Sequence, residues 1–148
     1  MTTQHAMPRS AEHDLVVLVS QVRSEMLGRV ERELAEVGVE SYIVYVGLKR
    51  LETQGPMTVA ELAAALRQDR DVLKRTCGRL ERQGHLRRLD GTRTSRYALT
   101  DSGRALLDRA QARGDHALKR CVEGASDDEI VQLNGALGRF LGHLRSAA

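Results

Sequence analysis

Apolar residues recur along the first part of the chain at steps of three and four: Leu15, Leu18, Val19, Val22, Met26, Val30, Leu34 and Val37. That spacing gathers them on one face of a long helix, predicted over residues 12–37, with Gly38 as its stop. The first dozen residues are polar and are expected to fray. Ser41 opens a second segment, Tyr42 to Glu52. Its Tyr42-Ile43-Val44-Tyr45-Val46 run has strand propensity, but Lys49, Arg50, Glu52 and the helical patterns around it favour a buried helix. Gly55-Pro56 breaks that segment.

Thr58-Val59-Ala60-Glu61 has the spacing of a capping box, in which the threonine hydroxyl and the glutamate satisfy each other's free amides. Leu62, Ala63 and Leu66 supply the inner face of the short third helix that follows. A polar turn from Arg67 to Arg70 leads to a fourth helix, capped by Asp69 or Asp71 and ended by Gly84. Leu73, Thr76, Cys77 and Leu80 fall on one side of it. Two short segments, Leu86 to Leu89 and Ser95 to Leu99, flank Asp90-Gly91-Thr92 and predict a β-hairpin. Thr100 caps a helix running to about Val122, Gly124 breaks it, and Ser126 to Glu129 forms a second capping box. The last helix repeats Ile130, Leu133, Leu137, Phe140, Leu141 and Leu144 at near-heptad spacing. Apolar stripes on both terminal helices predict a core shared between two copies of the chain.

Composition narrows the class. A chain of 148 residues with 41% hydrophobic and 29% charged residues suits one globular domain. Aromatic residues are only 3% and tryptophan is absent, so the core must be aliphatic. No apolar run approaches the ~20 residues of a membrane span, and Met1 to Ser10 lacks a signal-peptide core. Cys77 and Cys121 form neither a metal spacing nor a disulfide framework, so a soluble, cytoplasmic protein is expected. The net charge of +3 conceals its distribution: residues 67–96 hold ten Lys/Arg against four acids, a net +6, leaving −3 on the rest. Concentration of this kind suits a face that binds a polyanion.

Helix, tight turn, helix and basic hairpin, in that order, make a winged helix-turn-helix. The expected fold is mainly α, with dimerisation helices at 12–37 and 104–148 around a lobe at 40–100. An α-helix fits the major groove of B-DNA if its outward face is polar. With Leu73, Cys77 and Leu80 inward, the fourth helix turns Arg70, Asp71, Lys74, Arg75 and Gly78 outward, with Arg79 beside them. Arg70, Lys74 and Arg75 can donate to guanine edges or phosphates. Gly78 either admits close approach or relieves packing within the protein. In the hairpin Arg87, Arg88, Arg93 and Arg96 flank the tip, where an arginine can enter the minor groove or follow the phosphates. The alternative for individual arginines is an ordinary surface ion pair with Glu81, Asp90 or Asp101.

Glu61-Leu62-Ala63 to Leu66, Leu73-Lys74-Arg75, Leu80-Glu81-Arg82-Gln83-Gly84-His85-Leu86, the basic hairpin and Leu99-Thr100-Asp101-Ser102-Gly103 together resemble the MarR family of bacterial transcription regulators, over about residues 58–107. One departure lies in the wing. The family's pattern is Asp-Arg-Arg or Asp-Gly-Arg, whereas Asp90-Gly91-Thr92-Arg93 sets the aspartate one residue early. The resemblance implies a homodimeric repressor that binds a palindromic operator in double-stranded DNA and responds to a small aromatic effector. It places that effector between the dimer helices and the DNA-binding lobe, where Tyr42, Tyr45 and His13 are the candidates; the alternative for the tyrosines is simple core packing. A rival function, a winged helix used only for protein contacts, accounts poorly for the charge excess. An enzyme is not expected, for the chain has no Gly-rich phosphate loop, nucleophile elbow or acid–base pair. Neither cofactor nor metal is implied, since the five histidines lack a short ligand spacing. Cys77 is expected in the core, while Cys121 beside Lys119 and Arg120 is either an accessible thiol or a bystander.

Overall fold

In a computed structural model, residues 10–90 and 94–147 of the chain are described. The first helix, α1 (Ala11–Ala35), starts where the Ser10 hydroxyl accepts the His13 N–H. Only its C-terminal part is buried, through Val30 and Leu34; Leu15, Leu18, Val19 and Val22 remain exposed. Gly38, at φ +86°, reverses the chain into α2 (Tyr42–Gln54). The Ser41 hydroxyl caps α2, and the Tyr42 N–H donates to the Glu31 carboxylate at 3.0 Å, tying its start to α1. The strand-like Tyr42–Val46 run is therefore helical. Val44, Tyr45, Leu48 and Leu51 are buried at helical spacing, and that burial outweighs β propensity.

The order continues β1 (Met57–Thr58), α3 (Val59–Leu66), α4 (Arg70–Arg82), β2 (Leu86–Leu89), β3 (Arg96–Leu99), α5 (Asp101–Val122) and α6 (Asp127–Ser146). The two capping boxes, Thr58 with Glu61 and Ser126 with Glu129, are both formed. The hairpin gains a third strand, in the order β1-β3-β2, all antiparallel. Its register sets Leu86 opposite Leu99, Arg87 opposite Ala98, Arg88 opposite Tyr97 and Leu89 opposite Arg96. The sequence pattern misses β1 because two residues carry no periodicity.

A single hydrophobic cluster, mostly aliphatic but with Tyr45 and Tyr97 among its buried side chains, extends from Val30 to Ala117 and joins α1 to α5 through all elements between. Among the described residues no polar or charged side chain is buried. The inward face of α5 carries Leu106, Leu107, Ala110 and Ala117, and its small residues let α1 lie close. Arg113 of α5 bridges Glu33 of α1 and Glu36, the residue that caps its end, at 3.0 and 3.1 Å. By contrast α6 buries none of its residues, and Leu133, Leu137, Phe140, Leu141 and Leu144 face outward.

One joint holds the small lobe on α5. The Thr100 hydroxyl donates to the Gly84 carbonyl at 2.5 Å and accepts the Gly103 N–H at 3.0 Å, while the Thr100 N–H donates to the His85 carbonyl. His85 Nδ1 and Ser102 Oγ hydrogen-bond at 3.0 Å. A β-carbon at Gly103 would collide with the His85 carbonyl oxygen, a backbone atom with little freedom to retreat. Alanine normally exceeds glycine in a helix by about 1 kcal/mol. Here the sign reverses: Gly103→Ala is expected to destabilise by about 1–3 kcal/mol. Urea unfolding checks this, and a variant as stable as the parent would contradict the joint.

Candidate nucleic-acid interface

A three-residue turn aims α4. Arg67 ends α3 in the left-handed region at φ 52°, its N–H satisfied by the Ala63 and Ala64 carbonyls. Two residues later the Asp69 carboxylate caps α4, accepting the Asp71 and Val72 N–H groups at 2.8 and 3.0 Å. Asp69, rather than Asp71, is thus the cap, and Asp71 stays on the exposed face. Leu73, Cys77 and Leu80 are buried. Their burial turns Arg70, Asp71, Lys74 and Arg75 to solvent, as the spacing predicts, while Gly78 and Arg79 are half-buried. Burial, followed by the nearby Glu81 charge, pushes the Cys77 thiol up to about 11. It is an unreactive core residue. Cys121 is half-buried near the end of α5.

Between α4 and the hairpin lies a groove of about 720 Å³, lined by Lys74, Arg75, Gly78, Arg79, Arg88 and Tyr97. A second hollow of about 660 Å³ toward the start of α4 shares Lys74, Arg88 and Tyr97 and adds Arg70 and Asp71. Together they follow the basic face of α4.

The arginines separate into two groups. Arg88 donates to the Tyr97 hydroxyl at 3.1 Å and to Glu81 at 3.2 Å, with its guanidinium 5.6 Å from the Tyr97 ring centre. The hydrogen bond to Tyr97 raises its pKa above the usual arginine value, with Glu81 adding to the effect. Arg79 is ion-paired with Glu40 from the α1–α2 connection, and Arg96 lies 4.0 Å from Glu61. Arg70, Lys74, Arg75 and Arg87 form no ion pair among the described residues. Of the three expected acids, only Glu81 receives one of these arginines, since Asp101 is paired with Arg104 and Asp90 with none of the described side chains. Side chains alternate along a strand, so Arg88 and Tyr97 share one face of the hairpin and Arg87 and Arg96 the other. Arg88 alone among the described wing arginines lines the groove. Arg93 lies outside the described residues.

Two groove residues escape the sequence reading. Tyr97 could have been found from the register, because pairing Leu86 with Leu99 sets it opposite Arg88. Glu40 carries no signal; it reaches Arg79 from 39 positions away. At Gly78 the packing alternative loses its support. A β-carbon there would meet only the end of the Arg82 side chain, at 3.5 Å, an ordinary contact.

The proposed effector residues are only partly brought together. Tyr42 and Tyr45 lie with ring centres 6.0 Å apart, the Tyr45 ring having the Lys49 ammonium 5.9 Å from its centre. His13 is exposed in the first turn of α1, whereas α1 meets Tyr42 at Glu31. At the rise of an α-helix His13 and Glu31 are about 27 Å apart, so His13 does not join the tyrosines within one chain. Among the described residues there is no group of three or more His, Cys, Asp or Glu able to hold a metal ion. No described helix is long and apolar enough to cross a membrane.

Capped helices at a fixed turn, with a three-stranded wing beside them, define the winged helix-turn-helix class. No protein-family model and no curated protein matches the chain. Solved structures do. A transcriptional regulator of the MarR family from Rhodococcus sp. RHA1 is 30% identical, with 87% of this chain and 93% of that chain covered and a TM-score of 0.75. A MarR family protein from Bacillus stearothermophilus is 21% identical over 95% of this chain and 99% of that one, with a TM-score of 0.77. A mutant MarR from E. coli complexed with operator DNA is 22% identical over 86% and 94%, with a TM-score of 0.74. The last two bear on the fold, while the first bears on kinship as well. The chain belongs to the MarR family of transcriptional regulators.

The buried thiol gives the lobe a pH signature. Its pKa is about 11 when folded, against an ordinary value of 9.0, so between these values the unfolded chain binds fewer protons than the folded one. Stability therefore falls as pH rises through that window. Cys77→Ala should be less stable near neutrality yet lose less between pH 9 and 11. Equal losses in denaturant titrations of the two proteins would contradict a buried, neutral thiol.

Proposed function

We propose that this regulator acts as a homodimer that binds an inverted-repeat operator in double-stranded DNA and represses transcription. The observation that supports this best is the basic stripe Arg70, Lys74 and Arg75 on the outward face of α4, which makes no ion pair among the described residues and lies beside a groove walled by the wing. In this reading α4 enters the major groove, Arg75 and Lys74 donate to base edges, and Asp71 accepts from a cytosine amine. Arg87, Arg88 and Arg96 follow phosphates, and Arg93, which the sequence sets between the two hairpin strands, is the residue assigned to the minor groove. Phosphate neutralisation supplies most of the affinity. The operator-bound E. coli relative has the same fold, which supports the docking mode.

The second copy is supported by what one chain leaves bare. The first half of α1 exposes Leu15, Val19 and Val22, and α6 exposes Leu133, Leu137 and Phe140. Exposed apolar residues at helical spacing on two long helices suit an association face. Residues 12–37 and 104–148 then form the dimer and residues 40–100 the DNA-binding lobe. Two-fold symmetry would set two α4 helices about one DNA turn apart, about 34 Å. A small aromatic effector would act at Tyr42 and Tyr45, where α2 is tied to α1, by altering the spacing of the lobes.

Selection from random duplex DNA should recover an inverted repeat with half-site centres about 10 base pairs apart. Arg75→Ala should weaken binding to it by about 1–3 kcal/mol. Recovery of no sequence, or unchanged affinity in the variant, would contradict the assignment. Leu137→Glu should shift the chain to monomer in sedimentation and weaken operator binding with it; a dimer that persists would move the interface elsewhere.

A further inference from the structure

We infer that Gly78 is the point where DNA touches the backbone of α4, so that the missing side chain is itself a recognition feature. This rests on the DNA-binding reading above and adds to it a residue that fixes how deeply the helix seats.

Gly78 lies inside α4, with ordinary helical backbone rather than the positive φ that only glycine adopts easily. Glycine there weakens the helix relative to alanine, because the unfolded chain loses more freedom on folding. Two reasons within the protein could justify it, conformation and crowding, and neither applies. Gly103 shows what crowding looks like, since a β-carbon there strikes the His85 carbonyl. At Gly78 the same atom meets only the flexible end of Arg82 at 3.5 Å. Space alone is not informative, for Gly138 and Gly142 on α6 have more of it, with nothing within 4 Å. At Gly78 it coincides with position. The residue stands one turn beyond Lys74 and Arg75, lines the groove with them, and is flanked by Arg79 and Arg82.

Long basic side chains therefore project around a spot with no side chain at all. A helix with its side chains nearly fills the width of the major groove, so its depth of insertion depends on the residue at the line of closest approach. With glycine there, Lys74 and Arg75 reach base edges while the backbone rests against the groove floor. A methyl group would lift the helix and lengthen both contacts together.

The test compares the full-length chain with Gly78→Ala, Gly78→Leu and Arg75→Ala, using thermal melting and fluorescence anisotropy on the selected duplex and on a random one. Gly78→Ala should melt about 2–4 °C higher, as expected for a relieved helix in a chain of this size. Its affinity for the selected duplex should nonetheless fall about tenfold or more, comparable to losing one base contact. Gly78→Leu should bind it more weakly still, and random duplex should lose less in both. A Gly78→Ala protein that binds the selected duplex as the parent does overturns the inference. If Arg75→Ala weakens binding while Gly78→Ala does not, the DNA-binding reading stands and only this inference fails. A folded parent that binds neither duplex overturns both.

Discussion

Three side chains set the direction of every charge on α4. Leu73, Cys77 and Leu80 form its only buried edge, and burying a leucine side chain is worth roughly 1.5–3 kcal/mol. The remaining positions are mostly charged, and so short a helix has little stability of its own. Packing of that edge under α2, α3 and β2 is therefore what both forms the helix and orients it. Once the edge is buried, the 3.6-residue repeat turns Arg70, Lys74 and Arg75 outward with no further instruction. The Asp69 cap and the left-handed Arg67 settle the remaining freedom, the angle at which α4 leaves α3.

The same lobe must be held against the long helices, and a polar joint does so. Gly84, at φ +82°, turns the chain so that its own carbonyl and that of His85 meet the capped start of α5. Gly103 allows that approach to be close. Surface ion pairs such as Arg113 with Glu33 and Arg104 with Glu52 add alignment more than stability, because exposed pairs are worth little in water. They do explain the uneven charge. Glu33 of α1 and Glu52 of α2 are engaged by arginines of α5, while among the described residues Arg79 is the one α4 cation with an ion pair. Glu40 and Glu81 restrain Arg79 and Arg88, while the central stripe makes no ion pair among the described residues.

Most of the architecture was legible because it is encoded locally. Caps at Ser41, Thr58, Thr100 and Ser126 and the stop at Gly84 lie within a few residues of the structure they create. The Asp90-Gly91 turn predicted the hairpin on the same grounds. What escaped depends on tertiary pairing. β1 exists because Met57 and Thr58 find Tyr97 and Arg96, and Glu40 meets Arg79 only once α1 and α4 are both in place. The sequence presents the wing arginines as one group, yet the register sends Arg88 into the groove and Arg87 to the other face. His13 stands apart from the tyrosines within one chain for a similar reason, since one amphipathic pattern extends the whole length of α1. Asp69 and Asp71, two residues apart, are both suited by sequence to cap α4, and only the geometry decides between them.

The central claim is that the basic face of α4 and the wing neutralise phosphates. The salt dependence of duplex binding tests it most directly. Each neutralised phosphate contributes about −0.9 to the slope of log affinity against log salt. A dimer that presents this face twice should give a slope steeper than about −4. It should become shallower when Arg70 and Lys74 are both replaced by alanine. A slope near zero, or one that the double replacement leaves unchanged, would show that the charge concentrated on residues 67–96 serves something other than DNA.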